Sequence, residues 1–209
     1  MIFGSLSAIW ENDIRRMIAF SSVAQIGYIY MGFGLGTETG MIASIFHILA
    51  HGATKSLLFV SAIGLTDVSA GSRKFADITG SGYRNNVAGV GFTVGSLSMV
   101  GIPMFSGFVS KLLFAESAVK VMSWKMFPTL IVLAISTILN AIYFLKTVLR
   151  IYTPVPSEVE QEKDFYRISF KKQKRYTITI ILFIILNMIL GLTSEPIIQL
   201  IQYGLNNFM

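Results

Sequence analysis

The residues most able to do chemistry lie in the stretch FHILAHGATKSLLF, where His47, His51 and Lys55 recur at every fourth position. On a helix each is rotated about 40° from the last, so the three line one face over about 12 Å. Such a column suits proton transfer. Imidazole donates from one ring nitrogen while accepting at the other, and a desolvated lysine can be toggled by a neighbouring charge. Gly52 and Ala53 leave room for water beside the column. The plainer alternative gives the histidines backbone carbonyls and lets the lysine reach an interface. Zinc at the HxxxH pair would want a glutamate after the first histidine and a third ligand, and the sequence offers neither, so no metal is expected.

A second constellation is GIPMFSGFVSK, in which Gly101, Pro103 and Gly107 interrupt regular helix and Lys111 follows. Broken helices in membranes free backbone carbonyls and line cavities where a buried lysine can exchange a proton. A tight turn with Lys111 at an interface fits the spacing equally. Gln25, Asn140 and Asn187 are candidate interhelical hydrogen-bonding groups. Glu116 and Lys120 form a local i, i+4 pair. Lys146 and Arg150 read as snorkelling anchors, with Tyr143 and Tyr152 as interface aromatics. Glu116, Asn140, Lys146 and Gln25 are kept as accessory candidates for the path.

The surrounding elements must be membrane helices. The 209 residues are 53% hydrophobic and 13% charged, with a mean hydropathy of +0.65; soluble domains carry about 25% charged residues. Apolar stretches predict helices over 16–36, 40–65, 87–104, 107–122, 126–149 and 176–192, one all-α bundle, with the third and fourth alternatively forming one discontinuous unit. The net charge of +6 sits largely beside these spans. Lys171, Lys172, Lys174 and Arg175 therefore read as a membrane-edge cluster, not a nucleic-acid surface. The segment 150–175, with Glu158, Glu160 and Glu162, reads as a charged loop, and 196–208 as a short interfacial helix. Six alternating spans would put Arg15, Arg16, Arg73 and Lys74 on the face opposite Lys171–Arg175, which nearly ties the positive-inside count.

Cysteine is absent, which excludes disulfides and cysteine-ligated clusters within the chain. No nucleotide fingerprint or haem motif is present either, so no cofactor is expected and any oxidoreductase activity would belong to a host complex. Residues 1–10 form an apolar stub before Glu11, Asp13, Arg15 and Arg16. A signal peptide would put its positive charges first, so the stub reads as the tail of a preceding membrane helix.

NDIRRMIAFSSVAQIGYI, FHILAHGATKSLLF and GIPMFSGFVSK, in this order, resemble the antiporter-like subunits shared by respiratory complex I, Mrp-type sodium/proton antiporters and membrane-bound hydrogenases, with the D-type Mrp subunit nearest in appearance. Those subunits have two inverted helical repeats, each with a broken helix and a buried lysine. The resemblance implies that this chain is the second repeat plus the last helix. It further implies that Lys55 is the central lysine, flanked by His47 and His51, that Lys111 belongs to the broken helix, and that the 150–175 loop is cytoplasmic. The expected function is proton translocation, alone or exchanged for sodium, in a multisubunit complex of a bacterial or archaeal plasma membrane, with a partner supplying the first repeat. The competing expectation is a degenerate half-subunit with an assembly role. Either way, the chain should fractionate with membranes and resist carbonate extraction; recovery as a soluble monomer without detergent would overturn the membrane assignment.

Overall fold

The computed structural model describes residues 1–207 apart from 157, 159, 161, 162, 164 and 169–172. Glu162, Lys171, Lys172 and Phe208 of the expected loop and tail lie outside the described residues. The others fold into helices α1 (Ile2–Trp10), α2 (Ile14–Gly34), α3 (Glu38–Asp67), α4 (Ser81–Arg84), α5 (Asn86–Val100), α6 (Ser106–Lys120), α7 (Met126–Ile151), α8 (Lys174–Leu192) and α9 (Glu195–Asn206). The expected apolar stub is α1. Four helices, α2, α3, α7 and α8, are each long and apolar enough to cross a membrane.

Capping residues set the helix starts one or two residues earlier than apolar length predicts. The Asp13 carboxylate accepts the backbone N–H of Arg15 at 2.8 Å and of Arg16 at 3.1 Å. Thr37 takes that of Gly40 at 3.0 Å, and Asn85 that of Ala88 at 3.1 Å. Thr37 and Asn85 each thereby satisfy one, and Asp13 two, of the donors that a helix start leaves free.

The central element is α3, which is flanked by α2, α5, α6 and α8. Helices α5 and α6 run end to end along it, antiparallel. Asn85 donates to the Gly64 carbonyl near one end, Ser98 and Ser106 both meet Thr54 midway, and Ser117 meets Thr37 at 2.6 Å near the other end. The two helices are therefore one discontinuous span, the alternative that the sequence left open, and the described residues make five crossings.

This corrects the expected arrangement of the connections. On one face, Ile14 donates to the Arg73 carbonyl and Phe75 to that of Asn12, each at 3.0 Å, and Gly80 donates to that of Arg150. Described residues of the 150–175 segment lie on the same face, with Ile168 donating to the Arg84 carbonyl and Lys163 paired with Asp77 at 2.7 Å. Thus Arg15, Arg16, Arg73, Lys74, Arg84, Arg150, Lys163, Arg167, Lys174 and Arg175 share one basic face, and the expected tie disappears. The opposite face holds Glu38, Glu116 and Lys120, with α9 tied to Glu38 by Gln202 at 3.0 Å. No residue of α9 is buried, as suits a helix lying at the interface.

Arg84 clamps the basic face. Its guanidinium is fully buried and donates to the Val68 carbonyl, the Ser69 hydroxyl, the Asp77 carbonyl and Glu160 at 3.2, 2.9, 3.2 and 3.2 Å, while Phe165 lies 4.3 Å over it. Beside it, hydrogen bonds from Lys163 and Ser72 hold the Asp77 carboxyl below the usual carboxylate range. That pair therefore adds stability above the ordinary carboxylate pKa and loses it as pH falls through the lower folded value. Replacing Arg84 with Ala strands several buried acceptors and should cost about 3–5 kcal/mol, whereas Glu160→Gln keeps an acceptor and should cost about 1 kcal/mol; thermal unfolding in detergent measures both.

Candidate functional site

Lys55 lies in the middle of α3, only 7% exposed. Its ammonium donates to the Ile18 carbonyl at 2.7 Å and to the Ser21 hydroxyl of α2, and the Phe144 ring lies 6.0 Å away. It does not snorkel. One and two turns earlier, the His51 and His47 rings stack with centroids 6.0 Å apart. His47 Nδ1 bonds the Ser110 hydroxyl at 2.9 Å and is enclosed by Tyr28 and Phe114.

Lys111 is buried as well, at 9% exposure, and not at an interface. Its ammonium donates to the Met99 and Val100 carbonyls at 2.9 and 2.6 Å. These are among the last carbonyls of α5, which have no partner because the helix ends there. A cation is favoured at that position by the helix dipole as well. The ending is local chemistry: Gly101 adopts φ +92° and donates back to the Leu97 and Ser98 carbonyls, the left-handed cap that glycine tolerates best. Pro103 has no N–H with which to continue the helix. Gly107 abuts the Ser98 carbonyl so closely that no Cβ fits, which lets the two helix ends approach.

Between α3 and the break lies a cavity of about 10 Å³, lined by Gln25, His47, His51, Thr54, Ser98 and Lys111 among others. That is about the space of one water. Three of its lining residues carry buried polar atoms without a protein partner: Gln25 Nε2, His47 Nε2 and His51 Nδ1. A water there would meet several donors and acceptors at once, which is the condition for ordered internal water. Among the described residues no ion pair involves Lys55 or Lys111, and no three His, Asp or Glu side chains converge as a metal would require.

The accessory candidates divide. Gln25 joins the cavity. Asn140 is buried on α7, where its Oδ1 accepts the Tyr143 hydroxyl at 2.5 Å and that of Ser5 at 3.4 Å. Glu116 pairs with Lys120 at 2.7 Å, both about half exposed, and Lys146 lies exposed beside Glu11 and Arg150; neither reaches the column. Asn187 of α8 does more than bridge two helices. Its Oδ1 accepts Thr54 at 2.6 Å and both Ser98 and Ser106 at 3.1 Å, joining α3 to both sides of the break. The sequence reading did not single out Thr54, Ser98, Ser106 or Ser110, because small hydroxyl residues are common in membrane helices whether or not they face a site.

A helical membrane bundle with two buried lysines, one on a central helix and one at the break of a discontinuous span, is the class that fold and site define. Residues 1–139 match the membrane family described as NADH:quinone oxidoreductase/Mrp antiporter, TM. The chain belongs to that family. It is 31% identical over 212 residues to NADH-quinone oxidoreductase subunit N of Desulforudis audaxviator, an alignment covering 98% of this chain and 42% of that protein. Among solved structures it superposes on a chain of the Mrp complex from Dietzia sp. DQ12-45-1b with a TM-score of 0.79 at 24% identity, over 96% of this chain and 44% of that one. A chain of the membrane-bound sulfane sulfur reductase, an archaeal respiratory membrane complex, also gives 0.79, at 27% identity over 97% and 39%. The chain thus spans less than half the length of these relatives.

Substituting Asn187 with Leu removes the acceptor shared by three buried hydroxyls and should cost about 1–3 kcal/mol, read as lowered thermal stability in detergent. Asn187→Ser, which can still accept one hydrogen bond, should recover part of the loss.

Proposed function

We propose that this chain is an ion-translocating subunit that relays protons between Lys55 and Lys111 by way of His51 and His47, within a multisubunit membrane complex. One observation carries the reading: two ammonium groups buried in a membrane bundle are met only by neutral oxygens, and between them stand two histidines with unpartnered ring nitrogens around a water-sized cavity. A charge at the bilayer centre costs at least about 2.5–3.5 kcal/mol, and an amine that releases its proton avoids that cost for part of each cycle. His47 and His51 pass a proton by exchanging donor and acceptor roles across the cavity water. Lys111, held by carbonyls, can lose its proton without stranding a carboxylate.

The clustering of basic residues on one face supports a cytoplasmic position for it in a bacterial or archaeal plasma membrane. Sodium exchange is compatible with the family's antiporters. Oxidoreductase chemistry in the named relatives would enter as work done on this subunit by redox partners, with no cofactor held in this chain. The remainder of the length seen in the relatives would supply the other repeat, and a chain acting without it would have an assembly role instead.

In a host complex, Lys55→Met should preserve assembly while reducing proton uptake into sealed vesicles by at least about a hundredfold, the lower end of the range for losing a proton-transfer group. Lys55→Arg should fail similarly, because guanidinium does not release its proton. Full pumping by the methionine variant would remove Lys55 from the path; full pumping by arginine would leave it a fixed charge. Lys111→Ala should likewise lower uptake per assembled complex, and normal specific uptake with poor assembly would make Lys111 an anchor.

A further inference from the structure

Helix α7 has an outer face that the lysine and histidine column does not use. Tyr143 is only 3% exposed, with its hydroxyl bonded to Asn140 at 2.5 Å, so the interface role expected of it does not hold. The outer face is left to aliphatic and cationic side chains. Ile138, Ile142, Leu145 and Leu149 wall a groove of about 690 Å³ that ends at Lys146 and Arg150. The run from Ile138 to Arg150 rises about 18 Å, close to the depth of one leaflet of a hydrocarbon core about 30 Å thick.

The two cations repel each other across one helical turn, and among the described residues no ion pair involves either. Glu11 and Asp13 line cavities that Arg150 shares, but both are already engaged. Glu11 is paired with Arg16 at 2.9 Å, and Asp13 with Arg73 and the start of α2. Arg150 is fixed in place: its guanidinium lies 5.1 Å over the Phe75 ring and its carbonyl accepts the N–H groups of Gly80 and Thr153. A groove one leaflet deep, apolar along its length and doubly positive at its basic-face end, has the polarity of an anionic lipid. A partner helix fits it less well, because helix contacts in membranes favour small residues and hydrogen-bonding groups, and this wall is exposed branched aliphatic side chains.

We propose that the outer groove of α7 binds an anionic glycerophospholipid, with an acyl chain along Ile138–Leu149 and the phosphate at Lys146 and Arg150. The wall takes the chain and the cations select the headgroup by charge. A zwitterionic lipid brings its own cation to the same place and gains less; free phosphate leaves the wall uncovered. The site does not depend on proton movement through Lys55.

The test uses the assembled host complex in phosphatidylcholine vesicles that contain a small fraction of phosphatidylglycerol with a photoactivatable diazirine in its acyl chain. Peptide mapping should find the label on residues 138–149, and unlabelled phosphatidylglycerol should displace it where added phosphatidylcholine or inorganic phosphate does not. Lys146→Gln and Arg150→Gln should each lower labelling of that peptide about fivefold, the weight of one cation at an anionic lipid surface, while labelling of the exposed face of α8 stays the same. Ile142→Trp fills the groove from an exposed position and keeps both cations, so it covers the case in which a charge variant does not assemble; it should lower labelling by a similar factor. Equal displacement by phosphatidylcholine, or unchanged labelling in the charge variants, makes the groove ordinary boundary lipid and overturns the proposal. Displacement by inorganic phosphate, or unchanged labelling in the tryptophan variant, reduces it to surface charge and overturns it too. An unlabelled 138–149 peptide beside a labelled α8 means that a protein partner covers the groove, which also defeats the lipid assignment.

Discussion

Burying two ammonium groups inside a membrane bundle, with no carboxylate of the described residues beside either, is the constraint on which the rest of this structure depends. The Coulomb energy of an ion pair is not available to offset desolvation, so neutral oxygen must do so at short range. Lys55 takes a carbonyl and a hydroxyl from α2, and Lys111 takes two carbonyls from the end of α5. A continuous helix has no free carbonyls to give. The break at Gly101 and Pro103 therefore exposes the acceptors that Lys111 needs, and the close approach at Gly107 keeps both helix ends against α3.

The same economy explains why the connections gather on one side. With α5 and α6 forming a single crossing, the chain returns to the basic face after α3 and again after α7, and both returns converge on Arg84 and Asp77. The opposite side has short turns and the surface helix α9. One side of the bundle is thus anchored by interlocked loops, and the other leaves the end of the broken span comparatively lightly connected.

Much of this was legible in the sequence. Apolar length gave the spans, the four-residue spacing of His47, His51 and Lys55 gave a shared face, and the glycines and proline of GIPMFSG gave the break. What was hidden follows from physics that a linear reading averages away. Asp13 and Thr37 extend helices beyond their apolar windows through single capping bonds. Whether two apolar stretches are two crossings or one depends on the chain direction after the break, which the composition of Gly101–Phe105 does not encode. Arg84 carries no distinguishing signal in the sequence, because only the folded loops show that it is enclosed. Tyr143 looked like a belt aromatic, because only the folded bundle shows that its ring is buried and its hydroxyl bonded to Asn140.

The Asn187 junction has a consequence of its own. A carbonyl oxygen offers two lone pairs, yet three hydroxyls crowd this one, so at any instant one hydroxyl proton must turn to a neighbouring hydroxyl oxygen. The neighbours are within reach: Thr54 and Ser98 at 3.2 Å, Ser98 and Ser106 at 3.2 Å, Thr54 and Ser106 at 3.5 Å. Their hydroxyls form a small closed ring with several near-equivalent directions of donation, and switching among them requires only rotation about C–O bonds. Thr54 directly precedes Lys55, and the two serines flank the break that holds Lys111. The junction is thus a rotatable dipole between two ionisable amines, able to reorient as charge appears at either end while every helix stays where it is.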